Sequence, residues 1–272
     1  MLRTLIRRLL VVLLGLSSAS AVSAQDVDDA VLKLSEPDFT LVSLPTALRL
    51  PTFKSAFRVT HRFIRPLGQG DIGDLVGDAF GLDTGAQIGL EYRFGIVPNG
   101  EIGVHRTSDK TIEVFGQYGI VRQDRGLPFD VTALVSVDGT DNFKGAYSPA
   151  AGVIISRTVR DAVAVYVEPT FVRRSNVFER NLVAEENTFM VGLGARVRVR
   201  PTVYVIGEVA PRAAGYRPDV EHASFAIEKR AGGHSFQLNV SNSLATTIGQ
   251  IARGGRSNDD WHLGFSISRK FY

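Results

Sequence analysis

From Ala86 to Ile96 the chain alternates without a break. Ala86, Ile88, Leu90, Tyr92, Phe94 and Ile96 fall on one side of an extended segment; Gln87, Gly89, Glu91, Arg93 and Gly95 fall on the other. A period of two is the signature of a strand with one apolar and one polar face. The pattern recurs along the chain. Over 53–65, Phe53, Phe57, Val59, His61 and Phe63 oppose Lys54, Arg58, Thr60 and Arg62. Ile102 and Val104 oppose Glu101, Gly103 and His105; Ile112, Val114, Tyr118 and Ile120 oppose Glu113 and Gln117, with Phe115 out of phase. Segments 128–138, 147–158, 162–173, 188–199, 202–211, 222–230, 234–242 and 261–271 follow, for about twelve strands in all.

The connections alternate as well. Those at 97–100, 123–127, 159–161, 200–201 and 231–233 are short. Those at 66–85, 139–146, 174–187, 212–221 and 243–260 are longer, and only 106–110 breaks the rhythm. Tight turns at one rim and long loops at the other are the layout of a transmembrane barrel. The pattern predicts an all-β fold: a single closed antiparallel transmembrane β-barrel of about twelve strands over residues 51–272. Its last strand, Trp261 to Phe271, should pair with the first near Phe53 to Phe63, leaving no open edge. The terminal aromatic resembles the signal read by barrel-insertion machinery, although Phe271 and not Tyr272 keeps phase with the apolar face. Short helices are expected within 243–255 and 71–80. Residues 25–50, polar and then marked by Pro45 and Pro51, read as a poorly structured periplasmic lead-in.

Alternation alone does not say which solvent the apolar face meets. A soluble periplasmic barrel that binds an apolar ligand would show the same period. The polar phase here is rich in small residues and mixed charge, which suits a crowded interior. Phe63, Tyr92, Phe94, Trp261 and Phe271 lie near strand ends, as interfacial girdles in contact with outer-membrane lipid would. The N-terminus supports export. Arg3, Arg7 and Arg8 precede the apolar run Leu9 to Leu16, which is too short to span a bilayer. Small residues follow, with cleavage expected after Ala21 or Ala24, so residues 1–24 are expected to be a secretory signal peptide directing the chain to the bacterial outer membrane. An uncleaved membrane anchor is the alternative reading.

Charge and cysteine count then narrow the chemistry. The chain holds 31 basic and 28 acidic residues; without the leader's three arginines the two balance. No basic excess remains to suggest a nucleic-acid partner. With no cysteine, disulfides, thiolate metal sites and a cysteine nucleophile are excluded. No cofactor is expected.

Two stretches, "LPTALRLPTFKSAFRVTHRF" at 44–63 and "GGHSFQLNVSNS" at 232–243, resemble a bacterial family described as a membrane-bound beta-barrel domain of unknown function. The resemblance runs from about Leu44 to Tyr272. It implies an outer-membrane barrel and carries no substrate or catalytic residues with it.

In a closed barrel the charged residues of the polar phase share one lumen. Arg58, Arg62, Arg93, Arg196 and Arg198 would face Glu91, Glu101, Glu113, Asp130, Glu168 and Glu228. They would serve as a selectivity lining for a small polar or charged solute, or as a paired network that plugs and stiffens a narrow barrel. The second reading is favoured. His61 and His234 sit in the apolar phase, and interfacial positions near strand ends explain them better than a metal site. A lipid hydrolase built on His234, Ser241 and Asn242 is disfavoured, because seven positions separate His234 from Ser241 and put them on opposite faces of one strand. The expected function is passive and not enzymatic.

Overall fold

The computed structural model describes residues 34–69, 85–176, 186–216, 220–255 and 257–272. The expected signal peptide and the helix expected within 71–80 lie outside them. Thirteen strands build one sheet: β1 Ser55–Pro66, β2 Ala86–Val97, β3 Gly100–Thr107, β4 Ile112–Val121, β5 Asp130–Gly139, β6 Tyr147–Val159, β7 Val163–Val172, β8 Thr188–Arg200, β9 Val203–Ala210, β10 Arg212–Gly215, β11 His222–Ala231, β12 His234–Ser241 and β13 His262–Phe271. β9 and β10 both pair with β8 and form one stave, broken at Pro211, which has no N–H for the ladder. The sheet is therefore a twelve-stave antiparallel barrel.

Closure follows the expected seam. β1 pairs with β13 from Ser55 opposite Phe271 to Arg62 opposite Gly264, and with β2 on its other side. Every stave has two neighbours, so no long edge is exposed among the described residues. Turns at one rim are tight. Ala231 and His234 flank a two-residue turn at Gly232-Gly233, with Gly232 at φ 57°, a left-handed value that matches strand twist in short hairpins.

The burial pattern is inverted relative to a soluble domain. Arg62 and Arg196 are fully buried, whereas Leu90, Ile102 and Val135 are about half exposed on the outer face. Water would penalise such a surface and lipid would not, which removes the reason for a soluble barrel. At the rim of tight turns, Phe94 and Phe271 flank Ser55 at one level; Trp261 stacks on Phe225 near the opposite rim, centroids 5.9 Å apart. Tyr92 is exposed on the same outer face. Phe63 departs from the expected lipid contact: it is buried, with the His61 ring edge-on at 4.8 Å. His61 is not near a strand end either. It stands midway along β1, stacked on Phe265 at 4.7 Å, so ring packing holds it in the apolar phase.

The largest departure concerns residues 34–50, the described part of the expected lead-in. They are folded inside the barrel. Leu41 N–H donates to Leu44 O at 2.8 Å and Thr46 N–H to Phe39 O at 2.8 Å, closing a hairpin with its tip at Leu41–Leu44. Both arms reach the rim of tight turns. There Tyr204 Oη donates to Leu34 O at 2.9 Å, and Arg49 donates to Val121 O at 2.6 Å. Phe39, Leu41, Val42, Leu44, Leu48 and Leu50 are all buried. Leu41, Val42 and Leu44 pack with inward apolar residues that interrupt the polar phase, among them Leu134, Ile154, Met190 and Ile206. Tyr272 packs against the cluster of Phe39, Leu48, Leu50 and Ala56, which explains why the final residue breaks phase.

Candidate functional site

The lumen is the site, and its wall comes from the inward phase of each strand. Arg58, Arg62, Glu91, Arg93, Glu101, Glu113, Asp130, Glu168, Arg196 and Glu228 all lie buried on that wall. Arg198 does not. It is half-buried at the rim, where its Nε donates to Pro201 O at 3.1 Å. Some wall charges pair among themselves. Arg93 binds Glu91 through Nε and donates from Nη1 to Glu101 Oε1 at 2.8 Å, with its guanidinium 4.6 Å from the centre of the Phe115 ring. Phe115 is out of phase because its ring points inward to that cation. Arg196 donates to Glu228 at 3.2 Å. Such pairing is what allows ions to stay charged away from bulk water.

Other wall groups bind the hairpin. Glu208 accepts the backbone N–H groups of Val42 at 2.9 Å, Ser43 at 2.8 Å and Leu44 at 3.1 Å, while His222 Nε2 stands 3.0 Å from its other side. A carboxylate in a cradle of consecutive N–H groups is a charge-assisted anchor. Around the tip, Gln237 donates to Leu41 O at 2.7 Å, Arg58 to Val42 O at 2.9 Å and Arg196 to Thr40 O at 2.8 Å. Along the arms, Ser268 donates to Asp38 Oδ2 at 2.8 Å, Lys270 to Pro37 O, Tyr166 to Glu36 at 2.8 Å, and Leu50 N–H to Glu101 at 3.1 Å. Space is matched too. A Cβ on Gly194 would run into Leu41, and one on Gly192 would sit 3.1 Å from Leu44.

A second element enters from the rim of long loops. The connection between β12 and β13 turns inward and carries the helix α1, Ile248–Arg253, within the stretch where a short helix is expected. Thr247 caps it through a reciprocal bond pair with Gln250, and Thr247 Oγ1 also donates to Asp138 at 2.5 Å. Ile248 N–H donates to Glu113 at 3.2 Å and Gln250 to Asp109 at 2.9 Å. Asp109, in the turn between β3 and β4, is pushed up by partial burial. Bonds from Thr107 and Thr111 outweigh that and hold its carboxyl below the usual aspartate range.

Hairpin and loop meet at Arg62. Its Nη2 donates to Ser43 Oγ at 2.6 Å, and its Nη1 to Ser243 O at 3.1 Å and to Ala245 O. Ser43 Oγ in turn donates to Ala245 O at 3.2 Å. One arginine thus bridges the two plugs. Between them and the β2–β5 wall lies a cavity of about 20 Å³, bounded by Thr40, Arg93, Glu113 and Thr246, with room for a single water.

Glu208, His222, Gln237, Lys270 and Asp138 escaped the candidate list, although each falls in the inward phase of its strand. Glu208, His222 and Ser224 also form a serine–histidine–carboxylate cluster. Both partners, however, address the same imidazole nitrogen: Glu208 Oε1 is 3.0 Å and Ser224 Oγ 3.3 Å from Nε2. A relay needs the acid on one ring nitrogen and the nucleophile on the other. The disfavoured trio is no closer to a relay. His234 and Ser241 stand at opposite ends of β12, about 23 Å apart at strand rise. Among the described residues no group of three or more potential metal ligands occurs.

A family model described as "Membrane bound beta barrel domain" matches residues 39–271. No curated protein matches the sequence. Among solved structures, the KdgM porin, in complex with disordered oligogalacturonate, superposes with a TM-score of 0.51 at 9% identity, covering 80% of this chain and 99% of that one. The NanC porin gives a TM-score of 0.51 at 8% identity over 80% and 99%. At such identity the likeness is one of fold. The family match spans nearly all the described barrel and the inner hairpin from Phe39 onward, and the chain belongs to the family of membrane bound beta barrel domains.

Proposed function

We propose that the protein is a passive outer-membrane pore for small polar solutes, held shut by its own N-terminal hairpin. The observation that carries this reading is the hairpin itself. It fills a lumen whose wall is polar and which, at twelve staves, is wider than wall side chains alone can close, so its departure would leave an open polar path. The rim of tight turns, from which the hairpin enters, then faces the periplasm, as short turns do in barrels of this layout. Export by the leader, insertion through the C-terminal strand and the absence of catalysis belong to the same reading.

Single-channel recording in planar bilayers tests it. Wild-type barrel should be closed most of the time with brief openings. Arg62→Ala, which removes the bridge between hairpin and loop, should raise the open fraction severalfold. A heat-modifiable, correctly folded barrel that stays silent in both forms would instead be a sealed structural barrel. Release of the protein from cells as a soluble monomer would end the membrane reading altogether.

A further inference from the structure

Three cations climb one side of the lumen on the seam between the first and last strands. Lys270 lies level with Ala56, Arg58 level with Ser268, and Arg62 level with Gly264. At strand rise they are separated by about 7 and then about 13 Å. Arg58 and Arg62 are buried with Nε unpartnered, and Lys270 is buried as well. Their hydrogen-bond partners are oxygens of the two plugs: Pro37 O for Lys270, Val42 O for Arg58, and Ser43 Oγ with the Ser243 and Ala245 carbonyls for Arg62. Among the described residues, none of the three makes an ion pair with a wall carboxylate, unlike Arg93 and Arg196. Between the rungs stand Ala56, Thr60, Gly264, Ser266 and Ser268, too small to cover the charges.

The hairpin meets this ladder as an anion would. It lays carbonyl oxygens along the rungs and places the Asp38 carboxylate against Ser268, on the strand that also carries Lys270. When the hairpin leaves, Lys270 and Arg58 lose these oxygens together, while Glu91, level with Arg58 on β2, remains bound with Glu101 to Arg93, and Glu228 remains bound to Arg196. The inward face of β1 and β13 carries these three cations and no carboxylate, so the seam itself is net positive once uncovered, and unpaired buried cations attract an anion that reaches them.

We infer that the β1–β13 seam is a binding ladder for carboxylate-bearing solutes, which the hairpin occupies in the closed state, and that the open lumen passes anions in preference to cations. This rests on the gated-pore reading above. The test uses full-length Gly194→Leu, which expels the hairpin sterically and leaves every lumen charge in place, recorded in bilayers under a KCl gradient. The reversal potential should show chloride favoured over potassium by about threefold or more, modest beside the counter-ion enrichment of charged clefts. Adding Arg58→Gln and Lys270→Gln to Gly194→Leu should bring the ratio close to unity while openings persist. Succinate should block chloride current in Gly194→Leu and fail to do so in the triple variant. Cation preference, or a ratio indifferent to the two ladder substitutions, would overturn the ladder and leave the pore standing. Silence of every heat-modifiable variant would overturn the pore and the ladder with it.

Discussion

Glu208 offers the sharpest handle on the plug. Its carboxylate accepts three consecutive N–H groups at the hairpin tip, at 2.8–3.1 Å, and all four residues involved are buried. A hydrogen bond to a charged group contributes about 1.5–3 kcal/mol and a neutral one about 0.5–1.5. Glu208→Gln keeps the size but removes the charge, so each bond loses about 1 kcal/mol and docking about 3 kcal/mol in total. At 1.4 kcal/mol per decade, the undocked population should rise about a hundredfold. The chain has no cysteine, so Val42→Cys supplies a unique thiol at the tip, nearly isosteric with the buried valine it replaces. Its reaction with a water-soluble maleimide should be slow in the otherwise unaltered barrel and about a hundredfold faster with Glu208→Gln, since reagent reaches it only in the undocked state. Equal labelling rates in the two backgrounds would refute the reasoning, because the N–H cradle would then contribute nothing to docking.

Three further outcomes are expected. In the Val42→Cys background, Gly194→Leu should expel the hairpin by occupying the place of Leu41, giving rapid labelling of the tip thiol; adding Leu41→Gly should restore protection, and failure of that rescue would count against steric matching. Thr247→Ala removes the α1 cap and the bond to Asp138, loosening the inner loop by about 1–2 kcal/mol. Tryptic cleavage after Arg253 should then be roughly tenfold faster, and an unchanged rate would show that the cap is not what holds the loop. Asp109 is held below the ordinary aspartate value, so its stabilising contribution is complete above that value and lost as pH falls through the lower folded one. The gap in melting temperature between wild type and Asp109→Asn should thus be full at neutral pH and close below about pH 4; a gap that persists in acid would contradict the assignment.

The strand pattern was legible in the chain itself because side-chain direction in a strand is local. A pleated backbone sends alternate residues to opposite faces wherever it lies, so alternation fixed which residues of each strand share the apolar face and which share the polar one, and the loop rhythm of a membrane barrel then set the polar face inward. Arg58, Arg62, Arg93, Arg196 and Glu228 could be placed inward on that basis alone, and the alternating loop lengths ordered the hairpins around the ring. Closure between β1 and β13 followed from the need to leave no edge.

What fills the lumen was a different kind of question. Residues 34–50 carry no period, and their polar and proline content imitates an exposed lead-in. Two signals pointed elsewhere. The segment is dense in Phe39, Leu41, Val42, Leu44, Leu48 and Leu50, and the inward phase of the wall is broken by Phe115, Leu134, Ile154 and Ile206. Neither says what meets what. The hairpin is fixed by Glu208, Arg196 and Gln237, more than 150 positions away along the chain, and Arg62 joins it to a loop some 180 positions further on. Only closing the barrel brings those groups within hydrogen-bond reach of the tip. Local alternation, joined to the loop rhythm, therefore determined a barrel of strands with one apolar and one charged face; the tertiary structure alone decided that the charged interior is occupied, and by which segment.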